Sequence, residues 1–159
     1  MLQDDVLGSL TEEDDGSLTG SVMYLGREIE FRLQLDTVGL PDMADLPECL
    51  AFARTLVSNL GAIEEKARIA AARDFLESYN ESWRHTVTKD EWGAFVEAAK
   101  PELDGAQFGA KLSVSSLAIY NTDGVEVLLN DARMFGGHAL IVSFGSNLDP
   151  VDAETEMFG

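Results

Sequence analysis

Cysteine is nearly absent from this chain: Cys49 stands alone among 159 residues. No internal disulfide is possible, and a reducing, cytoplasmic setting is the expectation. Histidine is almost as scarce. Two of them far apart, with one cysteine, do not make a zinc site, so no metal centre is expected. Basic residues number 11 against 29 acids, for a formal net charge of −18. Phosphate contacts need positive charge, which excludes nucleic acid as a partner. Long apolar runs are missing too, since none approaches the ~18–20 residues of a membrane span. The first residues carry neither the basic nor the apolar stretch of a secretory signal. No phosphate-binding glycine loop, dinucleotide fingerprint or G-x-S-x-G motif occurs, and no cofactor is expected. Asn121-Thr122-Asp123-Gly124 is not a calcium loop, because its glycine falls too early and no glutamate closes it.

What is present suits a folded chain. Hydrophobic residues make up 45% and the mean hydropathy is −0.03, enough for one domain over residues 1–159 with a core of its own. The acid excess gathers at the ends. Residues 1–26 hold six acids and no Lys or Arg, and residues 134–159 hold four, again with no base. The segments 1–17 and 146–159 are expected to be weakly ordered. A basic protein is the natural partner for such a surface, with long-range steering aiding the encounter.

Along the chain, residues 10–17 read as an acidic loop. Ile29, Phe31, Leu33 and Leu35 alternate with polar residues, which predicts an antiparallel hairpin over 18–36. Thr37 to Ala44 reads as loop. Asp45-Leu46-Pro47-Glu48 opens a helix whose face is Leu50, Ala53, Leu56, Val57 and Leu60. A longer helix over about 62–84 buries Ile69, Ala72, Leu76, Tyr79 and Trp83 and leaves Glu64, Glu65 and Arg68 outside. Thr88-Lys89-Asp90-Glu91 has the form of a capping box for a short helix stopped at Lys100-Pro101, with Trp92, Phe95 and Val96 on its buried side. A further turn or two follows Asp104, carrying Phe108 inward. Strands are expected over 112–120, 125–129 and 139–144, the first two joined at Asp123-Gly124. The class expected is α+β: a β-hairpin, three to four helices, then a three-stranded meander, in a mostly antiparallel sheet with helices on one face.

The set Asn80-Glu81-Ser82-Trp83, Phe108 to Ile119, Asp123-Gly124 and Asp131-x-x-Met134-Phe135-x-Gly137-His138 resembles a bacterial family catalogued as a domain of unknown function, number twenty-two sixty-two. Val6-Leu7-Gly8 and the hairpin fit it as well. The resemblance spans nearly the whole chain and implies the element order, without an activity. Where the family's loop reads acid, glycine, an apolar-aromatic pair, tryptophan, glycine, histidine, this chain has Ala132 for the first glycine and Gly136 for the tryptophan.

The segment 130–138 is the densest in reactive residue types. His138 reads in three ways: as a structural histidine bonded to backbone across Gly136-Gly137, as a recognition residue, or as a general base oriented by Asp131. Asn80 and Trp83 lie one helical turn apart, so that Asn80 could hold a loop backbone and Trp83 wall a cleft. The candidate binding set is Asn80, Trp83, Arg133, Phe135 and His138, and the candidate catalytic pair is His138 and Asp131. No complete catalytic set appears, which leans away from an enzyme. The expected function is a non-enzymatic bacterial protein-binding module, immunity- or antitoxin-like. The alternative is a small enzyme or ligand binder with a cleft around Asn80, Trp83, Asp131 and His138.

Overall fold

The computed structural model describes residues 2–35 and 46–158. The expected loop over Thr37 to Ala44 and the cap at Asp45 lie outside them. The alternation at residues 29–33 does form a strand. β3 (Leu18–Tyr24) and β4 (Arg27–Gln34) pair antiparallel, and Ile29, Phe31 and Leu33 are buried. Ahead of them come two strands that the acidic composition concealed, β1 (Leu2–Asp4) and β2 (Gly8–Glu12). Leu7 and Leu10, fully buried, anchor this end. Asp4 closes the β1–β2 turn by accepting from the N–H groups of Val6 and Leu7, each at 2.9 Å. Its carboxylate also pairs with Arg54 of the following helix. That guanidinium, and then the Leu7 N–H, hold its carboxyl well below the usual carboxylate range.

α1 (Leu46–Ser58) and α2 (Leu60–Ser78) follow. The face of α1 is as its spacing predicts, with Leu50, Ala53, Leu56 and then Leu60 buried. The face of α2 is rotated from the expected one. Ile63, Glu64, Ala67, Ala70 and Ala71 are buried, while Ile69 is 53% exposed. A π turn, Tyr79–Trp83, ends α2, with Arg84 N–H donating to the Tyr79 carbonyl at 3.0 Å. Its last residue, Trp83, sets its ring against those of Phe135 and His138.

The expected helix over 88–100 is instead a β-hairpin, β5 (His85–Lys89) and β6 (Phe95–Ala99). Asp90 takes part in a turn and not in a helix cap. Its Oδ1 accepts from Trp92 N–H and Ala94 N–H, both 2.9 Å, and Gly93 is left-handed at φ 79°. The β-branched Thr86, Val87, Thr88 and Val96 then favour strands on either side. α3 (Gly105–Ala110) is short and carries a true capping box between Asp104 and Gln107; its Phe108 is fully buried.

β7 (Ser113–Tyr120), β8 (Gly124–Asn130), β9 (Ala139–Gly145) and β10 (Glu154–Phe158) complete the sheet. Gly124 is needed for close approach and not for the turn, because a Cβ there would collide with the Phe144 carbonyl. The order is β1-β2-β3-β4-β7-β8-β9-β10, with β4 and β7 parallel at its centre. The expected α+β class, with a mostly antiparallel sheet and three to four helices, is therefore corrected. The chain is mostly β, 41% strand against 29% helix, with ten strands, an eight-stranded mixed sheet and three α-helices among the described residues. Short polar strands at the ends and an exposed hairpin carry no strong apolar period, which is why they escaped a reading by pattern.

One cluster of buried residues joins α1, α2 and α3 to one face of the sheet. The far edge is clipped to α2 much as the near edge is to α1. Arg73 donates to the carbonyls of Pro150 and Ala153, and Thr155 donates to Asp74. Arg73, and then Thr155, lower the Asp74 carboxyl to about 2.

Candidate functional site

The segment 130–138 turns the chain from β8 into β9 through two tandem side-chain turns. Asn130 Oδ1 accepts from Ala132 N–H, and Asp131 Oδ1 accepts from Arg133 N–H, each at 2.9 Å. Asp131 Oδ2 accepts from Phe135 N–H at 3.0 Å. Both oxygens of this buried carboxylate thus serve the backbone. They hold four residues left-handed: Ala132, Arg133, Gly136 and Gly137, with φ of 52°, 64°, 63° and 90°. At Ala132 the resembled family has glycine, the residue that this conformation favours.

Phe135 is the inward end of the loop. It is fully buried, and four rings surround it: Phe75 at 6.1 Å, Tyr79 at 5.9 Å, Trp83 at 5.5 Å and Phe108 at 6.1 Å between centroids. His138 stands half-buried beside Trp83, edge to face at 5.5 Å. A carbonyl can only accept, so His138 Nδ1–H donates to Phe135 O at 2.6 Å. Trp83 Cζ3 stands 3.6 Å from where a Cβ on Gly136 would sit. Trp83 thus covers the loop from the helix side, against Phe135 and His138.

The predicted residues divide between two places. Trp83, Asp131, Arg133, Phe135 and His138 share this loop–helix contact, with Arg133 exposed. Asn80 turns elsewhere. Its amide donates to the Leu103 carbonyl and accepts from the Leu103 N–H, both at 2.9 Å, which pins the segment between the β5–β6 hairpin and α3. Among the described residues no hydrogen bond joins Asp131 to His138, and no group of three or more His, Cys, Asp or Glu is placed to hold a metal ion.

Reading the sequence missed Glu64. It is 4% exposed and collects four partners: Tyr24 Oη–H at 3.3 Å, Val114 N–H at 3.0 Å, Arg68 at 3.2 Å and Arg27 at 3.9 Å. Arg27 and Arg68 also donate to the carbonyls of Val114 and Leu112. This network ties α2 to β3, β4 and β7, where the β7–β8 register shifts between Val114 and Ser116. Burial, and then the negative Glu64, push the Tyr24 hydroxyl up. The signal was there in the spacing, since Glu64 is four residues from Leu60 and three from Ala67, both buried.

The other face of the sheet has a different chemistry. Register places Arg32, Ala118, Glu126, Ser143 and Glu154 in one row across it, and Glu30, Ser116, Leu128, Ile141 and Glu156 in the next. A groove of about 720 Å³ opens there, lined by Glu28, Glu30, Glu126, Leu128 and Ile141 among others. Arg32, the base in these rows, pairs with Asp15 at 3.2 Å.

A mixed eight-stranded sheet with one helix-covered face and one open acidic face is thus the frame of the molecule. The chain belongs to the DUF2262 family, described as an uncharacterised protein conserved in bacteria, whose model matches residues 4–155. Comparison with curated proteins and with solved structures finds no match. No helix among the described residues is long and apolar enough to cross a membrane.

Proposed function

We propose that this chain is a non-enzymatic binding module that takes a basic protein segment on the open face of its sheet. Immunity- or antitoxin-like masking of a basic toxin is one concrete form. The observation that supports it is the composition of that face. Leu128 and Ile141 sit side by side at its centre, and Glu28, Glu30, Glu126, Glu154 and Glu156 surround them. Apolar contact in the middle would hold a partner, and the carboxylates around it would steer and select one of opposite charge. A bacterial cytoplasmic setting belongs to this reading and rests on the single cysteine. Nucleic acid is left out on charge alone.

The alternative, a small enzyme or ligand binder at Asn80, Trp83, Asp131 and His138, has less to support it. The amide of Asn80, the carboxylate of Asp131 and the Nδ1 of His138 are already engaged with backbone. The test is affinity capture from bacterial lysate at low and at high ionic strength, with wild type beside a Glu30→Lys, Glu126→Lys double variant. A basic protein held only at low salt, and lost by the double variant, is the expected result. Equal capture by both proteins would overturn the assignment of the open face.

A further inference from the structure

The β5–β6 hairpin is unlike the rest of the molecule. Every residue of its two strands is exposed, and they pair only with each other among the described residues. Val87 is 64% exposed, Phe95 76% and Trp92, at the tip, 86%. A lone two-stranded ribbon is marginal in water, and its two edges are templates for further pairing. Charge singles it out as well. Residues 84–100 hold three acids and three bases, so the net −18 lies wholly outside them.

The phase of the ladder shows which backbone groups are open. Lys100 N–H donates to Arg84 O at 2.8 Å and Asp90 N–H to Ala94 O at 2.9 Å. Bonded and non-bonded pairs alternate in an antiparallel ladder, so His85, Val87 and Lys89 point their N–H and C=O away from β6. On β6 the outward residues are Phe95, Glu97 and Ala99. The two edges differ in how they meet a copy of themselves. An antiparallel pair of β6 edges centred on Glu97 sets two carboxylates face to face. A β5 pair centred on Val87 sets Val87 against Val87, Thr86 against Thr88 and His85 against Lys89, with no acid opposite an acid.

We infer that β5 is a dimerisation edge, joining two copies of this chain about a two-fold axis through Val87 into a four-stranded ribbon, β6-β5-β5-β6. Such a contact is self-complementary, as a two-fold interface must be. It brings together the element with no net charge and leaves the acidic bodies at its far ends. Cross-strand Val–Val and Thr–Thr pairs supply the side-chain contacts. Added salt screens the repulsion between the bodies, so the dimer tightens with salt, the opposite of the capture of a basic partner. The two readings therefore fail separately.

Sedimentation equilibrium over a range of protein concentration tests this. The expected result is a reversible dimer that Val87→Pro weakens by about tenfold or more, because the two central hydrogen bonds are lost while the β5–β6 ladder keeps all of its own. Glu97→Pro, which alters the outward edge of β6, leaves the dimer intact. A wild-type monomer at every soluble concentration, or equal effects of the two prolines, overturns the proposal. Independently of any proline effect on folding, Val87→Cys cross-links two copies under mild oxidation and Glu97→Cys does not, since Cα atoms of a bonded pair lie within disulfide reach. Cross-linking that is equal at both positions also overturns it.

Discussion

Two aromatic-bearing turns in this chain face opposite ways. The 130–138 loop sends Phe135 to full burial within a ring of four aromatics, while the β5–β6 hairpin holds Phe95 and Trp92 in solvent. Both are built around an aspartate that accepts two backbone N–H groups, Asp131 in one and Asp90 in the other. Local chemistry is therefore nearly the same, and the fate of the aromatic is decided by what stands next to it. The loop closes against the π turn of α2. The hairpin has no neighbouring layer among the described residues.

Truncation should separate the two most sharply. Phe135→Ala removes the centre of the cluster and is expected to destabilise the fold by about 3–5 kcal/mol, measured by chemical denaturation. If the loss were under about 1 kcal/mol, the cluster would not be the keystone that its geometry suggests.

Smaller is the effect of unclipping the edges of the sheet. Asp4→Ala leaves Val6 N–H, Leu7 N–H and Arg54 without their acceptor, and should cost about 1–3 kcal/mol. The wild type should show a related loss in acid. The carboxyls of Asp4 and Asp74 are lowered in the folded state, so their contribution is complete above the unfolded value near 3.8. It fades as pH falls through the folded values, which for Asp74 means from about 4 toward about 2. Thermal melts across that range check the sign, and a midpoint rising as pH drops would refute it.

Smaller again is Ala132→Gly, which relieves a left-handed alanine in the loop and should stabilise by up to about 1 kcal/mol. Least of all is Trp92→Ser in the hairpin, where a change within about 0.5 kcal/mol is expected for an exposed side chain. A loss as large as that of Phe135→Ala would erase the contrast between the two turns.

Much of the local structure was legible. The β3–β4 hairpin, α1, the extent of α2 with its aromatic end and strands β7 to β9 follow from period and punctuation. Residues 130–138 were singled out by composition. Two kinds of feature were not legible. Strands β1, β2 and β10 are short and polar, and they exist because a neighbouring edge offers hydrogen bonds. Residues 88–91 satisfy a helix-capping pattern as well as a hairpin turn, and the pattern alone does not choose.

By itself the sequence determined the charge, the family and the main periodic elements. These depend on residues within a few positions of one another, where side-chain volume and backbone hydrogen bonding act directly. Only the tertiary structure decided that Glu64 is buried, that Asn80 holds Leu103 and that Phe95 stays in water. Burial is a property of two surfaces, and the second surface comes from residues far along the chain, which no local pattern contains.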